Sequence, residues 1–351
     1  MKQSVKETVV LERRAYLQWI AALAVASPVW AQTKVGQRSG VTWPTEPVHL
    51  VVPFPAGGSS AILGKLLSRS FERTTGQPLR LQYLGGAGGL QGASFAAKAE
   101  ANGQHLFIGG SHLAAARALV EDDDFDLIED LRPLVKVADV PQVLVVNPAR
   151  LRSRTIMEWL VDMSRKSKQY RMGTAGVGSS SHIAAEIVRF QEDLRFEFVH
   201  FRGSGPALQD LLNGTVDTMI DGLISCLPHI RSGRLKALLV TGSERVSVLP
   251  DVPCAQEMGV HALQDCGIWH GMFAPSQLSS ARAQAVEQVF RRVGADAQLQ
   301  ADLAALGIAW SGVYGDAFAS FVQQDTTDWA QRLKGMGIGN FLQRDRAEGA
   351  A

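Results

Sequence analysis

From Pro44 onward the sequence alternates short apolar runs with segments whose apolar residues recur at helical spacing. In the first unit, residues 48–52 form a β-branched run typical of a buried strand, and apolar positions at helical spacing follow from Ile62 to Phe71. Alternating strands and helices favour a parallel sheet with helices on both faces. The strands predicted in this way are residues 48–52, 79–84, 106–108, 143–146, 170–173, 196–200, 217–220, 236–241 and 267–274. About nine strands are too many for one half of the chain, so the pattern predicts an α/β protein of two doubly wound lobes.

Length and charge narrow the class of protein. At 351 residues the chain is too long for one ordinary domain and fits two. A net charge of +1 with scattered basic residues argues against a nucleic-acid partner. The small cluster of Arg165, Lys166 and Lys168 is typical of a solvated helix end. The tail after Phe341 is polar, and we expect it to fray.

The amino terminus has the features of an export signal. Arg13 and Arg14 precede an apolar run at 15–26, and small residues at the −3 and −1 positions favour cleavage after Ala31. The run is too short to span a bilayer of about 30 Å. We therefore predict a signal peptide at residues 1–31 and a periplasmic location; an amphipathic helix of a cytosolic protein is the alternative. The paired arginines fit either twin-arginine or Sec export. A lipoprotein anchor is not expected, because a cysteine would be needed near the cleavage site and none lies there.

The cysteines and acidic residues do not predict a metal site. Three cysteines exclude complete intramolecular pairing; Cys254 and Cys266 could bridge, whereas Cys226 lies in an apolar segment typical of a buried thiol. The acidic run at 121–124 lacks the alternating spacing of a calcium loop and fits a solvated loop better. We expect neither a metal nor a cofactor.

Two loops rich in glycine and serine are the strongest candidates for a binding site. Residues 53–60 (PFPAGGSS) and 173–182 (GTAGVGSSSH) each connect a predicted strand to a predicted helix, where open α/β sheets bind ligands. The first N–H groups of a helix are unpaired and attract anions, while glycine allows close approach and serine adds donors. Ser59 or Ser60 is placed to cap the first helix, and a serine at 179–181 the second. Two facing loops could therefore grip one carboxylate; ordinary turns with serine caps are the alternative.

Other chemistries fit less well. Neither loop has the Walker lysine, and Gln91 stands where a dinucleotide fingerprint needs its third glycine. No Gly-x-Ser-x-Gly elbow occurs, and the adjacent Ser181 and His182 would diverge by roughly 100° on a helix. We expect no catalytic residue, although a triad assembled from distant residues stays open.

At these loops the sequence resembles the Bug family, also called TctC-like, the substrate-binding proteins of tripartite tricarboxylate transporters. The resemblance runs from about Pro44 to Ile338. It is carried in order by VVPFPAGGS at 51–59, GAGG at 86–89, GVGSSSH at 176–182, GSGPAL at 203–208, LPHI at 227–230 and LPDVP at 249–253. One such match would be weak, whereas their shared order and spacing make the resemblance specific.

The resemblance implies a type II periplasmic-binding-protein fold, with a ligand cleft between two lobes and crossover strands near Val143 and Trp269. Lobe 1 would comprise residues 44–142 and 267–345, and lobe 2 residues 143–266. The ligand-binding residues implied are Phe54, Ala56, Gly57, Ser59, Ser60, Ala61, Ser111, His112, Thr174, Ala175, Ser179, Ser180, His182 and Asp221.

The chain departs from the family pattern in two segments that bear on the ligand. Ser60 and Ala61 stand where members often have Thr-Asp, whose carboxylate can meet a ligand's ammonium, so an amino-acid ligand is weakly disfavoured. Arg202 stands where lysine is common; it could guide anions into the cleft or simply lie on the surface.

Together these features predict a monomeric periplasmic solute-binding protein and not an enzyme. Its partners would be a small organic acid and the membrane subunits of a tripartite tricarboxylate-type transporter. A sensor component that signals to a receptor kinase is the alternative, and turnover of a carboxylate is the less favoured one. The sequence does not name the acid.

Overall fold

The computed structural model of the chain describes residues 42–119, 125–165 and 169–336. The predicted signal peptide, the acidic run at 121–124 and the polar tail lie outside the described residues, as do Lys166 and Lys168. No helix within the described ranges has both the length and the apolar character that a membrane crossing requires.

The chain builds lobe 1 first and returns to it after lobe 2. The first elements of lobe 1 are β1 (Val48–Val52), α1 (Ser59–Thr75), β2 (Leu79–Tyr83), α2 (Leu90–Ala97), β3 (His105–Gly110), α3 (Ser111–Leu119), α4 (Leu127–Asp130) and β4 (Leu131–Val140). Lobe 2 contains β5 (Gln142–Val146), α5 (Ile156–Ser164), β6 (Arg171–Thr174), α6 (Ser180–Gln191), β7 (Glu197–His200), α7 (Ser204–Asn213), β8 (Thr218–Gly222), α8 (Leu223–Arg231) and β9 (Lys236–Val240). The return to lobe 1 supplies β10 (Ile268–Pro275), α9 (Ser280–Gly294), α10 (Ala297–Ala305), β11 (Val313–Tyr314) and α11 (Gly315–Gly335).

Each lobe has a mixed sheet at its centre. Within the described ranges, the strand order is β11-β4-β10-β3-β1-β2 in lobe 1 and β7-β6-β8-β5-β9 in lobe 2. Strand β1 pairs in parallel with β2 and β3, and β6 with β7 and β8. The expectation of a parallel sheet is wrong at β11, which runs antiparallel to β4, and at β10 and β5, which run antiparallel to both of their neighbours. Strands β10 and β5 are those by which the chain enters one lobe from the other, so the preceding helix does not set their direction.

The chain passes between the two sheets twice. Strand β4 ends in the first sheet at Val140 and β5 begins in the second at Gln142, with only Pro141 between them. The second passage runs from β9 to β10. Two crossings, one of a single residue and one through residues 241–267, let the lobes move as units about the crossing points. The residue boundaries of the lobes stay a prediction.

Strand β4 is a ten-residue strand that the sequence pattern does not indicate. Arg132, Pro133, Lys136 and Asp139 interrupt its apolar residues, so neither strict alternation nor a continuous apolar run appears. It nevertheless lies between β11 and β10 in the sheet. Tertiary pairing therefore overrides a weak local signal here.

Helices cover both faces of each sheet. In lobe 1, Phe71 of α1 packs against Phe290 of α9 in one buried cluster, and Phe273 of β10 packs against Phe318 of α11 in another. In lobe 2, Trp159 of α5 lies in one buried cluster with Leu144 of β5, and Leu208 of α7 lies in another with the adjacent Val143. This two-sided burial confirms the doubly wound architecture.

All three cysteines are buried and free. The prediction of a buried thiol at Cys226 is confirmed, and Cys254 and Cys266 form no disulfide.

Candidate functional site

The loop between β1 and α1 leaves the amino end of its helix without a side-chain cap. Helix α1 begins at Ser59 with Gly58 as its N-cap, and no side chain makes a capping bond. The prediction that Ser59 or Ser60 caps this helix is therefore wrong, because both residues lie inside it and their hydroxyls have other partners. Ser59 Oγ lies 3.1 Å from Ser225 Oγ, and Ser60 Oγ lies 3.2 Å from His270 Nε2. The first N–H groups of α1 thus remain for another acceptor.

The loop between β6 and α6 is held by its own hydrogen bonds. Ser179 is the N-cap of α6, as predicted, and its Oγ accepts a bond from the N–H of His182 at 3.3 Å. Ser181 Oγ accepts from the N–H of Ala175 at 2.7 Å and lies 3.0 Å from Ser179 Oγ. Gly176 has a φ of +121°, which an L side chain rarely adopts. These bonds fix the loop in one conformation.

The two loops meet at a cavity between the lobes, which we call the inner cavity. Its volume is about 40 Å³, which is room for roughly three water molecules. Its lining residues are Phe54, Gly58, Ser59, Ser60, His112, Ala175, Ser179, Ser180, Ser181, Ser204, Asp221, Ile268 and His270. A small guest here would contact the amino ends of α1 and α6 together.

Eight of the fourteen residues predicted for ligand binding line the inner cavity. They are Phe54, Ser59, Ser60, His112, Ala175, Ser179, Ser180 and Asp221. Their role in binding stays a prediction, but the structure brings them together from four separate segments of the chain.

Three further predicted residues of lobe 1 lie beside the inner cavity without lining it. Ala56 and Gly57 approach Gly205 of lobe 2 so closely that a Cβ on Gly57 would lie 2.9 Å from the Cα of Gly205. Ala61 is buried in the apolar core of lobe 1. Ala56 and Gly57 therefore form part of the contact between the lobes, and Ala61 part of the core.

Two predicted residues of lobe 2 make hydrogen bonds that hold the loop between β6 and α6 in place. Thr174 Oγ1 lies 2.7 Å from His200 Nδ1 and is fully buried. His182 Nδ1 accepts a bond from the N–H of Gly178 at 3.2 Å. Their polar atoms hold the loop and do not line the inner cavity.

The list of ligand-binding residues implied by the resemblance omits five lining residues: Gly58, Ser181, Ser204, Ile268 and His270. Gly58 and Ser181 nevertheless belong to the two loops predicted as the binding site. Ser204 lies within the GSGPAL stretch, so the surroundings of all three carried a signal. Ile268 and His270 are alternate residues of β10, and the 2.0 period of a strand turns both side chains to one face. No local pattern marks that strand as a cavity wall, because its direction and place are set by the second crossing.

Contacts between the lobes surround the inner cavity. The Ser59–Ser225 bond joins α1 to α8, and Ser111 Oγ lies 3.4 Å from Ser180 Oγ, which joins α3 to α6. Ser111, the last of the predicted residues, thus bridges the lobes and does not line the cavity. A Cβ on Gly205 would overlap the carbonyl oxygen of Ala56. The lobes are therefore closed on one another, and glycine permits the approach.

A larger cavity of about 730 Å³, the outer cavity, lies next to the inner one. The two share Phe54 and Ala175. The outer cavity is lined by Pro55, Tyr83, Gly85, Gly86, Ala87, Gly88, Gln91, Gly176, Val177, His200, Phe201 and Arg202 besides these two. Arg202 is exposed at its rim.

The inner cavity contains three fully buried titratable side chains and no lysine or arginine. Burial raises the pKa of Asp221 to about 7, against bonds from Ser204 and the Gly222 backbone that lower it. Burial lowers the pKa of His112 to about 3, with a smaller contribution from His270. Burial also lowers the pKa of His270 to about 4. At neutral pH both imidazoles are therefore uncharged, and the attraction for an anion comes from helix ends and hydroxyls.

The contact between Ser60 and His270 resembles part of a catalytic pair. A working triad needs a third group on the other ring nitrogen and a base whose pKa lies near the working pH. His270 Nδ1 has no hydrogen-bond partner among the described residues, and the pKa of its ring is about 4. The arrangement suits hydrogen bonding better than proton transfer.

Two α/β lobes that are crossed twice by the chain and closed on a polar cavity define a protein of the periplasmic-binding-protein fold. The family model of the tripartite tricarboxylate transporter family receptor matches residues 63–338. The chain belongs to this family, so the predicted Bug (TctC-like) membership is confirmed. The family and the fold are those of periplasmic solute-binding proteins, which are not enzymes.

Individual relatives agree with this assignment. The protein BugT of Bordetella pertussis is 32% identical over 259 residues, covering 73% of this chain and 76% of its own. The structure of the periplasmic binding protein BugD has a TM-score of 0.80 at 28% identity and covers 84% of this chain and 99% of its own. MatC of Rhodopseudomonas palustris with bound malate has a TM-score of 0.76 at 28% identity, covering 82% of this chain and 99% of its own.

Proposed function

We propose that this protein captures a small organic carboxylate in the inner cavity and presents it, in the periplasm, to a tripartite tricarboxylate-type transporter. One observation carries the proposal: the amino ends of α1 and α6, from different lobes, meet at one cavity. Each supplies unpaired N–H groups and a partial positive charge. A carboxylate has two oxygens and can accept from both ends at once.

The energetics are sufficient for useful affinity. Hydrogen bonds to a charged group contribute roughly 1.5–3 kcal/mol each, and micromolar binding needs about −8 kcal/mol. Backbone N–H groups of α1 and α6 with the hydroxyl of Ser180 supply several such bonds. Apolar contact with Phe54 and Ile268 adds to them, since both line the inner cavity.

Ligand exchange requires the lobes to separate. The inner cavity has room for only a few waters, and its walls come from both lobes. A carboxylate that bonds to both helix ends stabilises the closed state over the open one, and this difference in affinity drives closure. The closed lobes then present a surface that differs from the open form, which a membrane partner can recognise.

The class of ligand has support from a similar structure. MatC holds malate, a hydroxylated dicarboxylate. The outer cavity, with Tyr83 and Arg202, offers space for the remainder of an acid whose first carboxylate lies between the helix ends.

A thermal-shift screen tests the proposal. The panel comprises acetate, pyruvate, L-lactate, L-malate, succinate, adipate, citrate and benzoate, followed by calorimetry of any hit. A ligand at 100 times its Kd stabilises the folded protein by about 2.7 kcal/mol, a shift of several degrees in Tm. No shift with any organic acid, together with no heat in calorimetry, would remove the support for carboxylate capture.

A pair of variants connects the shift to the inner cavity. Ser180→Phe puts an aromatic ring into a cavity of about 40 Å³ and should abolish the shift. Ser164→Phe adds the same ring at an exposed position of α5 and should bind as the unmodified protein does. Equal shifts in both variants would mean that the acid binds elsewhere.

A further inference from the structure

Asp221 lines the inner cavity, and one oxygen of its carboxyl group has no hydrogen-bond partner among the described residues. Its side chain is only 4% exposed at the carboxyl end of β8. Ser204 Oγ donates a hydrogen bond to Oδ1 at 2.9 Å. Oδ2 is buried and has no hydrogen-bond partner among the described residues. Since Asp221 lines the inner cavity, Oδ2 is available to a guest.

No cation compensates this carboxyl group. Among the residues that line the inner cavity, His112 and His270 are the only other titratable side chains. The neighbouring elements of lobe 2 carry Cys226, His229 and Arg231 on α8, His182, Glu186 and Arg189 on α6, Asp210 on α7 and Arg171 on β6, and neither lysine nor arginine contributes to the shifted pKa of Asp221. The backbone N–H of Arg171 bonds to Asp217, which marks the opposite end of β8. Cys226 has its pKa raised well above the ordinary value by burial and by Asp221, so it stays a neutral thiol. Strand β5 carries no titratable residue.

A carboxylate guest makes ionisation of Asp221 harder still. Two carboxylates within roughly 4–6 Å of each other in a dry site do not both ionise, and one of them retains a proton. The inner cavity is small enough to hold guest and Asp221 within that range. The helix ends stabilise the charge of the guest, whereas the bonds from Ser204 and the Gly222 backbone are outweighed by burial, which raises the pKa of Asp221 to about 7. The proton therefore belongs on Asp221.

We propose that each carboxylate ligand binds together with one proton, which resides on Oδ2 of Asp221 and is donated as a hydrogen bond to the ligand. This inference rests on the proposed function, since it concerns the same cavity. It gives Asp221 a direct role in selecting an anion: the ionised side chain repels the ligand, and the protonated one binds it. The protonated carboxyl group of Asp221 and the carboxylate of the ligand then share one hydrogen bond inside the closed protein.

The pH dependence follows from linkage. Before a ligand binds, burial holds the pKa of Asp221 at about 7 in the closed protein, and the bound carboxylate raises it further. Above pH 7 the free protein has lost this proton and must recover it on binding, so affinity falls as pH rises, by up to about tenfold per unit. At pH 8 about one proton should be taken up per ligand.

Calorimetry at pH 8 in two buffers of different ionisation enthalpy measures that proton count directly. L-malate is the probe if it raises Tm in the screen above; otherwise the panel acid with the largest shift is used. The difference in heat between the buffers should correspond to about one proton per bound acid. Binding with no proton taken up would overturn this inference and leave carboxylate capture intact, whereas absence of binding by every acid would count against the proposed function itself.

Two variants assign the proton to its residue. Asp221→Asn retains a donor in the place of Oδ2 and cannot titrate, so its affinity should be independent of pH between 7 and 9 and its proton count near zero. Ser204→Ala removes a bond that lowers the pKa of Asp221, so the fall in affinity should begin at a higher pH. A proton count unchanged by Asp221→Asn would place the proton elsewhere and refute the assignment. If that variant does not fold, the midpoint of Ser204→Ala decides, and a midpoint equal to that of the unmodified protein refutes it.

Discussion

The hydroxyl of Ser59, at the start of α1, lies 3.1 Å from the hydroxyl of Ser225 in α8 and links the two lobes beside the inner cavity. Both residues are buried. Because the bond joins the lobes, it contributes to closure and little to the stability of either lobe. We expect Ser225→Ala to remove about 1 kcal/mol from the closed state, which weakens carboxylate binding about fivefold.

Calorimetric affinity checks this prediction, with urea unfolding as a second measurement. The matched control is Ser164→Ala, an exposed serine whose hydroxyl bonds only to the backbone of its own helix. An unchanged affinity in Ser225→Ala would show that the bond does not contribute to closure.

Gly205→Ala should hold the lobes apart. A methyl group at this position of α7 would overlap the backbone carbonyl of Ala56 in lobe 1. Backbone cannot rotate away as a side chain can, so relief requires the lobes to separate. We expect at least a hundredfold loss of affinity and, in small-angle scattering, no decrease in radius of gyration when the acid is added.

The folding of this variant should be normal, because alanine has a higher helix propensity than glycine and the overlap exists only in the closed state. Gly335→Ala is the control, since a Cβ there meets no atom within 4 Å. Tight binding by Gly205→Ala would mean that the ligand-bound protein is more open than the structure described here.

The sequence predicted the repeated strand–helix units because each has a buried β-branched run followed by helical spacing. It also located both loops, since glycine and serine at a strand-to-helix junction indicate either an anion site or a capped turn. It did not predict β4, because polar residues and a proline interrupt the apolar residues of this interior strand; they are Arg132, Pro133, Lys136 and Asp139. Nor did it reveal the direction of β5 and β10, which depends on where the chain crosses between sheets.

The site was predicted best where the residues that line the inner cavity are contiguous in sequence. Ser179 and Ser180 lie in a recognisable loop, but His270 reaches the cavity only because β10 returns from the other lobe. The role of Ser59 was misread for a related reason. Local rules assign an early helical serine to capping, whereas the closed lobes bring Ser225 within hydrogen-bond distance of it.

His112→Gln should make the protein less sensitive to acid. An unfolded chain protonates this residue near pH 6.5, but burial, with His270 nearby, lowers its pKa in the folded protein to about 3. Between these values the unfolded state holds one more proton, so the free energy of unfolding decreases as pH falls. One proton corresponds to about 1.4 kcal/mol per pH unit.

Urea unfolding at pH 5.5, 5.0 and 4.5 measures that slope. It should be smaller by about 1.4 kcal/mol per unit in His112→Gln than in the unmodified protein. Asp221 acts in the opposite direction, because its raised pKa lowers stability as pH increases toward 7, but it is present in both proteins and cancels. His261→Gln, at an exposed position, is the control. Equal slopes in His112→Gln and the unmodified protein would mean that His112 is more solvated than its burial indicates.

The role of Arg202 can be tested, since it either guides anionic ligands into the cleft or is an ordinary surface residue. It is exposed at the rim of the outer cavity. If it guides ligands, Arg202→Gln should lower the association rate several-fold at low ionic strength, and the difference should shrink as salt screens the charge. Stopped-flow fluorescence over a range of salt concentrations measures this rate.

The control is Arg152→Gln, which changes the net charge equally at an exposed position outside the lining of the cavities. It therefore separates the effect of local charge from that of overall charge. Equal rates for the two variants would assign Arg202 to the surface, whereas a slower rate for Arg202→Gln alone, with little change in dissociation, would assign it to the capture step that precedes closure.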